Sequence, residues 1–96
     1  MTTPARIEKL MSLTPQEFVD TLARLGPPNH QPDGSYRFEL TGGTVHISYV
    51  PQKGVTLGGL LELPRAKVAL DFDGVSEQTR AEFLKRFEFT FQRGGG

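Results

Sequence analysis

The sequence contains no cysteine and no tryptophan, and its formal net charge at pH 7 is zero. Without thiols the chain can form no disulfide, no thiolate metal site and no cysteine nucleophile. Its 11 basic and 11 acidic residues argue against nonspecific nucleic-acid binding, which depends on neutralising phosphates, and against a polybasic membrane anchor. We therefore expect neither nucleic acid nor membrane as a partner.

Long apolar runs are also missing. No stretch approaches the ~18 consecutive apolar residues that a membrane helix needs. The start, MTTPARIEKLMSL, has no apolar core of signal-peptide length, because Glu8 and Lys9 interrupt it. We therefore expect a cytoplasmic protein. The 96 residues suit one domain, so residues 1–96 are predicted to fold around a single core of modest size.

Two helices are predicted from capping signals. In LTPQEF, Thr14 is placed as N-cap, Pro15 as first helical residue and Glu17 as the partner that completes a capping box. Gly26 ends this helix, whose apolar stripe is Phe18, Val19, Leu22 and Leu25. Ser76 can cap a second helix, whose apolar side is Ala81, Phe83, Leu84 and Phe87.

The two ends of the chain give weaker patterns. Residues 1–12 predict a short helix, frayed or docked on a partner, because Thr3 and Pro4 can start one. Ile7, Leu10 and Met11 then recur at helical spacing. The glycines of residues 94–96 predict a flexible tail.

Strands are predicted where apolar residues recur every second residue, instead of about every 3.6 residues as in a helix. YRFELT and TVHISYV alternate on either side of a Gly-Gly pair, which is typical of a β-hairpin, and Pro51 is expected to end the second strand. GVTLGGLLEL, with a bulge or bend at its glycines and a break at Pro64, and RAKVALDF predict two more strands. FEFTFQR predicts a closing strand that places Phe87, Phe89 and Phe91 in the core.

These elements predict a fold class. Each strand has one apolar and one polar face, as in an antiparallel sheet that is covered on a single side, and amphipathic helices can supply the cover. We predict a two-layer α+β sandwich with a mainly antiparallel sheet of four or five strands. Two helices, or three if residues 1–12 form one, lie on one face, in the order (α)–α–β–β–β–β–α–β.

The stretch KVALDFDGV resembles the first motif of the haloacid dehalogenase-like phosphotransferases. The resemblance implies Asp71 as nucleophile and Asp73 as general acid/base, with magnesium held between them. Only 23 residues follow Asp73, which is too few for the later strands and catalytic residues of that family. We therefore interpret the motif as a strand end and a turn before the cap at Ser76, and we predict no catalytic residue, cofactor or metal site.

The ending FQRGGG resembles that of ubiquitin-like modifiers and small sulfur-carrier proteins, in which Gly-Gly follows a final strand. The resemblance implies activation of the terminal carboxylate of Gly96. The predicted order of elements departs from the β-grasp fold of those proteins, because four strands precede the second helix. A disordered polar terminus is the alternative.

One cluster of polar residues is a candidate binding site. His46 lies on the polar face of its strand, where Arg37, Lys67 and Asp71 can neighbour it if the strands pair in register. A histidine beside carboxylates can act as a base or bind an anion once protonated, although a solvated sheet residue is the commoner case. These four residues are the speculative ligand-binding set.

The favoured function is a small non-enzymatic accessory or interaction protein that uses the polar sheet face or an edge strand and can form a homodimer. One alternative is a small-ligand or anion-binding domain with its site around His46. The other is a C-terminal Gly-Gly carrier.

Overall fold

The computed structural model describes residues 5–59 and 61–94, and these form two layers. One layer is a five-stranded antiparallel sheet, and the other consists of two helices that cover one face of it, which confirms the predicted class. The elements are β1 (Arg6–Met11), α1 (Pro15–Leu25), β2 (Asn29–His30), β3 (Tyr36–Leu40), β4 (Gly43–Leu57), β5 (Leu61–Asp73) and α2 (Glu77–Gly94). The strands lie in the order β1-β5-β4-β3-β2. Neither helix, as far as it is described, is long and apolar enough to cross a membrane.

Helix α1 begins as its capping signals predict. The hydroxyl of Thr14 accepts a hydrogen bond from the backbone N–H of Glu17 at 3.1 Å, and the Glu17 carboxylate accepts one from the backbone N–H of Thr14 at 2.8 Å. This capping box satisfies two amides near the start of the helix. The helix buries Phe18, Leu22 and Leu25 of the predicted stripe, whereas Val19 is exposed.

The core lies between the helices and the sheet. Alternate residues of the three central strands face the helices, as strand geometry requires: Phe38, Val45, Ile47, Ala66, Val68, Leu70 and Phe72. Helix α2 adds Phe83, Phe87 and Phe91. The phenol of Tyr49 donates to the carbonyl of Leu13 at 2.9 Å, and burial raises the pKa of Tyr49 above its ordinary value.

The N-terminal segment forms strand β1 rather than the predicted helix. It pairs antiparallel with β5 along its whole length, and its exposure alternates residue by residue. Ile7 and Met11 are four residues apart, so they share a face in a helix and in a strand, and both pack against the core. Leu10 points to the other side of the sheet and is exposed. Pairing with a strand far along the chain therefore decided between two compatible patterns. Thr3 and Pro4 lie outside the described residues.

The predicted closing strand is instead the second half of α2. Phe83, Phe87 and Phe91 recur every four residues and are buried, whereas Phe89, which was predicted in the core, is 60 % exposed. The alternation in FEFTF is thus one part of a helical stripe that begins earlier. Helix α2 runs to Gly94, so the final strand implied by the resemblance to carrier proteins is absent here. The last two glycines lie outside the described residues.

Strands β4 and β5 are longer than predicted. The separate strand that was expected around Gly58 and Gly59 does not form; both glycines have positive φ values, 62° and 72°, in the connection between β4 and β5. The far ends of β4 and β5 extend beyond β1 and β3 as a two-stranded arm, and the molecule measures 48 × 32 × 22 Å.

Neither Pro51 nor Pro64 ends its strand, because each lies where its missing N–H is not needed. The N–H of Phe72 donates to the carbonyl of Ala5 at 2.7 Å, so alternate residues of β5 direct their backbone groups away from β4. Pro64 belongs to that set and lies past the last β1 pair. Pro51 lies opposite Ala66, so its nitrogen also points away from β5, past the end of β3. Proline is tolerated at such open edges.

Candidate functional site

The face of the sheet opposite the helices, called the open face below, carries a row of polar residues across four strands. The register places Arg6 opposite Asp71, Asp71 opposite His46, and His46 opposite Arg37. Three of the four predicted site residues, His46, Arg37 and Asp71, therefore lie side by side. The fourth neighbour, Arg6, was missed because its segment was interpreted as a helix.

Lys67 lies on the open face but not beside His46. The register places it between Leu10 and Val50, four residues along β5 from Asp71, or about 13 Å at the rise of a strand. The structure thus does not bring it next to the other predicted site residues. Its Nζ is 4.0 Å from a carboxylate oxygen of Glu8.

Arg6 links two carboxylates on the open face. Its guanidinium makes a hydrogen-bonded ion pair with Asp71 and a second with Glu8 at 3.1 Å. These hydrogen bonds, Asp71 first, raise the pKa of Arg6 above its ordinary value. With Lys67 beside Glu8, charges of alternating sign run from Lys67 through Glu8 and Arg6 to Asp71.

Arg37 forms a separate pair at the other side of the sheet. One of its terminal nitrogens donates to the Glu39 carboxylate. Its Nε is shielded from solvent and has no hydrogen-bond partner among the described residues.

The loop before β3 contributes Asp33, which sequence reasoning did not identify. The hydroxyl and the backbone N–H of Ser35 donate to its carboxylate at 2.7 and 2.9 Å, and these hydrogen bonds lower the pKa of Asp33. Electrostatic attraction to His46 contributes a smaller lowering of the pKa of Asp33. The short loop PDGS was the signal that could have found it, since Asp at such a position commonly bonds the backbone two residues on.

The open face also carries apolar side chains. Leu10 is 62 % exposed and Val50 is 48 % exposed, and they flank Lys67 in one row. Ala69 and Ser48, which have small side chains, pair in the row between them and the charged residues; Ala69 is buried and Ser48 is half-buried. Apolar patches with a polar rim are typical of contact surfaces.

The two aspartates of the phosphotransferase-like motif lie on the open face of an antiparallel strand. β5 is antiparallel to both β1 and β4, whereas that motif belongs to a parallel sheet. Asp71 holds Arg6, and the chain turns after Asp73. The hydroxyl of Ser76 then accepts from the backbone N–H of Thr79 at 3.2 Å, so Ser76 caps α2 as predicted.

Two adjoining grooves lie at the edge of β3 beside α2, with volumes of about 610 and 290 Å³. Both are lined by Glu39, Leu40, Phe83 and Arg86. Arg86 donates to the carbonyl of Leu25 at 3.0 Å and so ties α2 to the end of α1. Over the described ranges, no three His, Asp or Glu side chains are grouped so that they could hold a metal ion.

Comparisons with models of protein families, with curated proteins and with solved structures gave no match.

Proposed function

We propose that this protein is a non-enzymatic interaction domain whose contact surface is the open face of the sheet. The observation that carries the proposal is the composition of this uncovered face. The register places four cations and four carboxylates on it, together with exposed Leu10 and Val50: Arg6, Arg37, Arg65 and Lys67 with Glu8, Glu39, Asp71 and Asp73. A neutral face with paired charges and apolar side chains suits a protein surface better than a single small ligand.

The face supports this role better than the strand edges do. An edge binds another strand through unpaired N–H and C=O groups. Pro51 and Pro64 each remove an N–H from an open edge of the β4–β5 arm. We therefore favour the polar face over an edge strand as the contact surface.

Site-specific photo-crosslinking tests the proposal. A photoreactive amino acid at position 50 would replace the exposed Val50 on the open face, and the same group in place of Lys85, exposed on α2, is the matched control. We expect covalent protein adducts at position 50 in cells of the native host and none above background at position 85. Equal labelling at the two positions, or no adduct at position 50, would contradict the proposal.

A second candidate, anion binding beside His46, is favoured by one observation. Arg37 lies opposite His46 in the register, so a guanidinium and an imidazole are adjacent on the open face. Titration with inorganic phosphate at about pH 6, where histidine is partly protonated, should then shift the amide resonances of β3 and β4. His46→Ala should abolish those shifts and His30→Ala, at the end of β2, should leave them. Shifts that survive His46→Ala would exclude this site.

A further inference from the structure

Strand β5 carries a charge pattern on the open face that is antisymmetric about Ala69. The residues that β5 directs to this face are, in order, Arg65, Lys67, Ala69, Asp71 and Asp73. Two cations precede the small residue, and two carboxylates follow it at the same spacing. A strand with this pattern complements a second copy of itself laid antiparallel across it.

We propose that the open face binds the open face of a second copy of this chain, about a two-fold axis beside Ala69. The inference rests on the proposed function and names its partner. A two-fold interface uses each contact twice. Lys67 of each copy then lies over Asp71 of the other copy, and Arg65 over Asp73 of the other copy.

The dimensions of stacked sheets allow these contacts. Lys67 and Asp71 lie about 6.6 Å from the axis along the strand, and Arg65 and Asp73 lie about 13 Å from it. Sheets that pack face to face cross at about 30°, which displaces the outer pair sideways by roughly 7 Å. The long side chain of Arg65 can cover that displacement, and the inner pair is displaced by about half as much.

In the same arrangement, the second copy covers the exposed apolar side chains. It sets Val50 over His46 of the second copy and Leu10 over the aliphatic part of Arg6 of the second copy. Ala69 and Ser48 lie at the centre, where their small side chains permit the approach to about 10 Å that stacked sheets require. Glu8 faces its own counterpart, and each is neutralised within its chain by Arg6 at 3.1 Å and Lys67 at 4.0 Å.

Charge reversal at the outer pair tests the two-fold arrangement. Arg65 and Asp73 take part in none of the ion pairs formed by the described residues. Reversing the charge at either position should therefore disturb the isolated chain little. R65D sets carboxylates against carboxylates at both symmetric contacts, and D73R sets cations against cations. In an equimolar mixture, an R65D copy facing a D73R copy joins opposite charges at both contacts again.

Sedimentation equilibrium from about 1 to 300 μM measures the result, a range that covers the affinities of small interfaces. We expect the wild type to form a dimer and each single variant to have a dissociation constant roughly ten- to a hundredfold larger. In the mixture, the dissociation constant should return to within about threefold of the wild-type value. K85D on α2, a reversal on the helical layer, should leave dimerisation unchanged. Circular dichroism confirms that every variant is folded.

Either of two results would overturn the inference: a wild-type monomer throughout the range, or a mixture that associates no better than the single variants. Failure of self-pairing can be told apart from failure of the proposed function. Adducts at position 50 with a different protein, beside a monomeric wild type, would refute self-pairing and leave the interaction function standing. A lack of any adduct at position 50 would refute both.

Discussion

Phe87→Ala and Phe89→Ala each remove a phenyl ring from α2, the first from the side that faces the core and the second from the side that faces solvent. Phe87 is 0 % exposed, and its ring centroid lies 4.3 Å from that of Phe91, whereas Phe89 is 60 % exposed. Truncating a buried phenylalanine costs about 3–5 kcal/mol of unfolding free energy, from lost burial and from the cavity left behind. At a mainly exposed position the loss should stay below about 1 kcal/mol.

The expected difference is large compared with the total stability, since small domains unfold at a cost of about 5–15 kcal/mol. Each kcal/mol lowers the Tm of a domain of this size by roughly 4–8 °C. We therefore expect Phe87→Ala to lower the Tm by at least about 12 °C and Phe89→Ala by less than about 8 °C. Thermal and urea unfolding followed by circular dichroism at 222 nm measures both, and Phe87→Leu provides a milder change if Phe87→Ala does not fold.

A strand in place of the second half of α2 would give a different result. Successive odd-numbered residues of a strand point to the same side, so Phe87 and Phe89 would be buried together. Equal losses for the two alanine variants would refute the helical assignment. A small loss for both would refute the placement of Phe87 in the core.

Three further predictions concern other parts of the fold. Thr14→Ala should remove the N-cap and cost about 1 kcal/mol in urea unfolding. Gly43→Ala should cost about 2–3 kcal/mol or prevent folding, because the added Cβ would meet the carbonyl oxygen of Asp73 at 2.0 Å, far inside van der Waals contact. The raised pKa of Tyr49 means that its contribution to stability is complete below about pH 10 and is lost as the pH rises through the folded-state pKa. Absorbance titration should therefore show Tyr49 ionising above the ordinary range of a tyrosine, and Tyr49→Phe should be less sensitive to alkaline unfolding.

Local chemistry was sufficient to predict the parts of the fold that neighbouring residues determine. The capping box at Thr14 and Glu17 acts within four residues, so α1 could be read without knowing what it packs against. The cap at Ser76 is of the same kind. The alternation on either side of the Gly-Gly pair likewise predicted the β3–β4 hairpin, but the two turn residues are Thr41 and Gly42, and Gly43 already belongs to β4 and pairs with Leu40, so the predicted turn was displaced by one residue.

Segments whose pattern fits two periods could not be decided from the sequence. Ile7 and Met11 share a face in a helix and in a strand, and only the free edge of β5 decides between them. The alternation of Phe87, Phe89 and Phe91 is strict, yet the earlier Phe83 places two of these rings on a helical stripe. In each case tertiary packing overrode a local preference.

The part of the candidate site that depends only on strand pairing could be predicted from the sequence. His46, Arg37 and Asp71 each lie on the polar face of a predicted strand, so their alignment needed only the correct pairing of the strands. Arg6 and Asp33 could not be included, because one depended on the missed strand β1 and the other on how a loop folds back beside the sheet.

The pairing of β1 with β5 has a consequence for how the chain acquires its structure. Arg6 and Asp71 are 65 residues apart in sequence, whereas β3, β4 and β5 follow one another through short connections. Closing a long loop is slower than closing a short one, so the β3–β4 and β4–β5 hairpins can form early, and β1 joins an edge that already exists. Of the described strands, β1 is the first to be made during synthesis and one of the last to be paired. Arg6, Glu8 and Lys9 place charges among the apolar residues of β1, and such charges lower the tendency of an unpaired strand to aggregate.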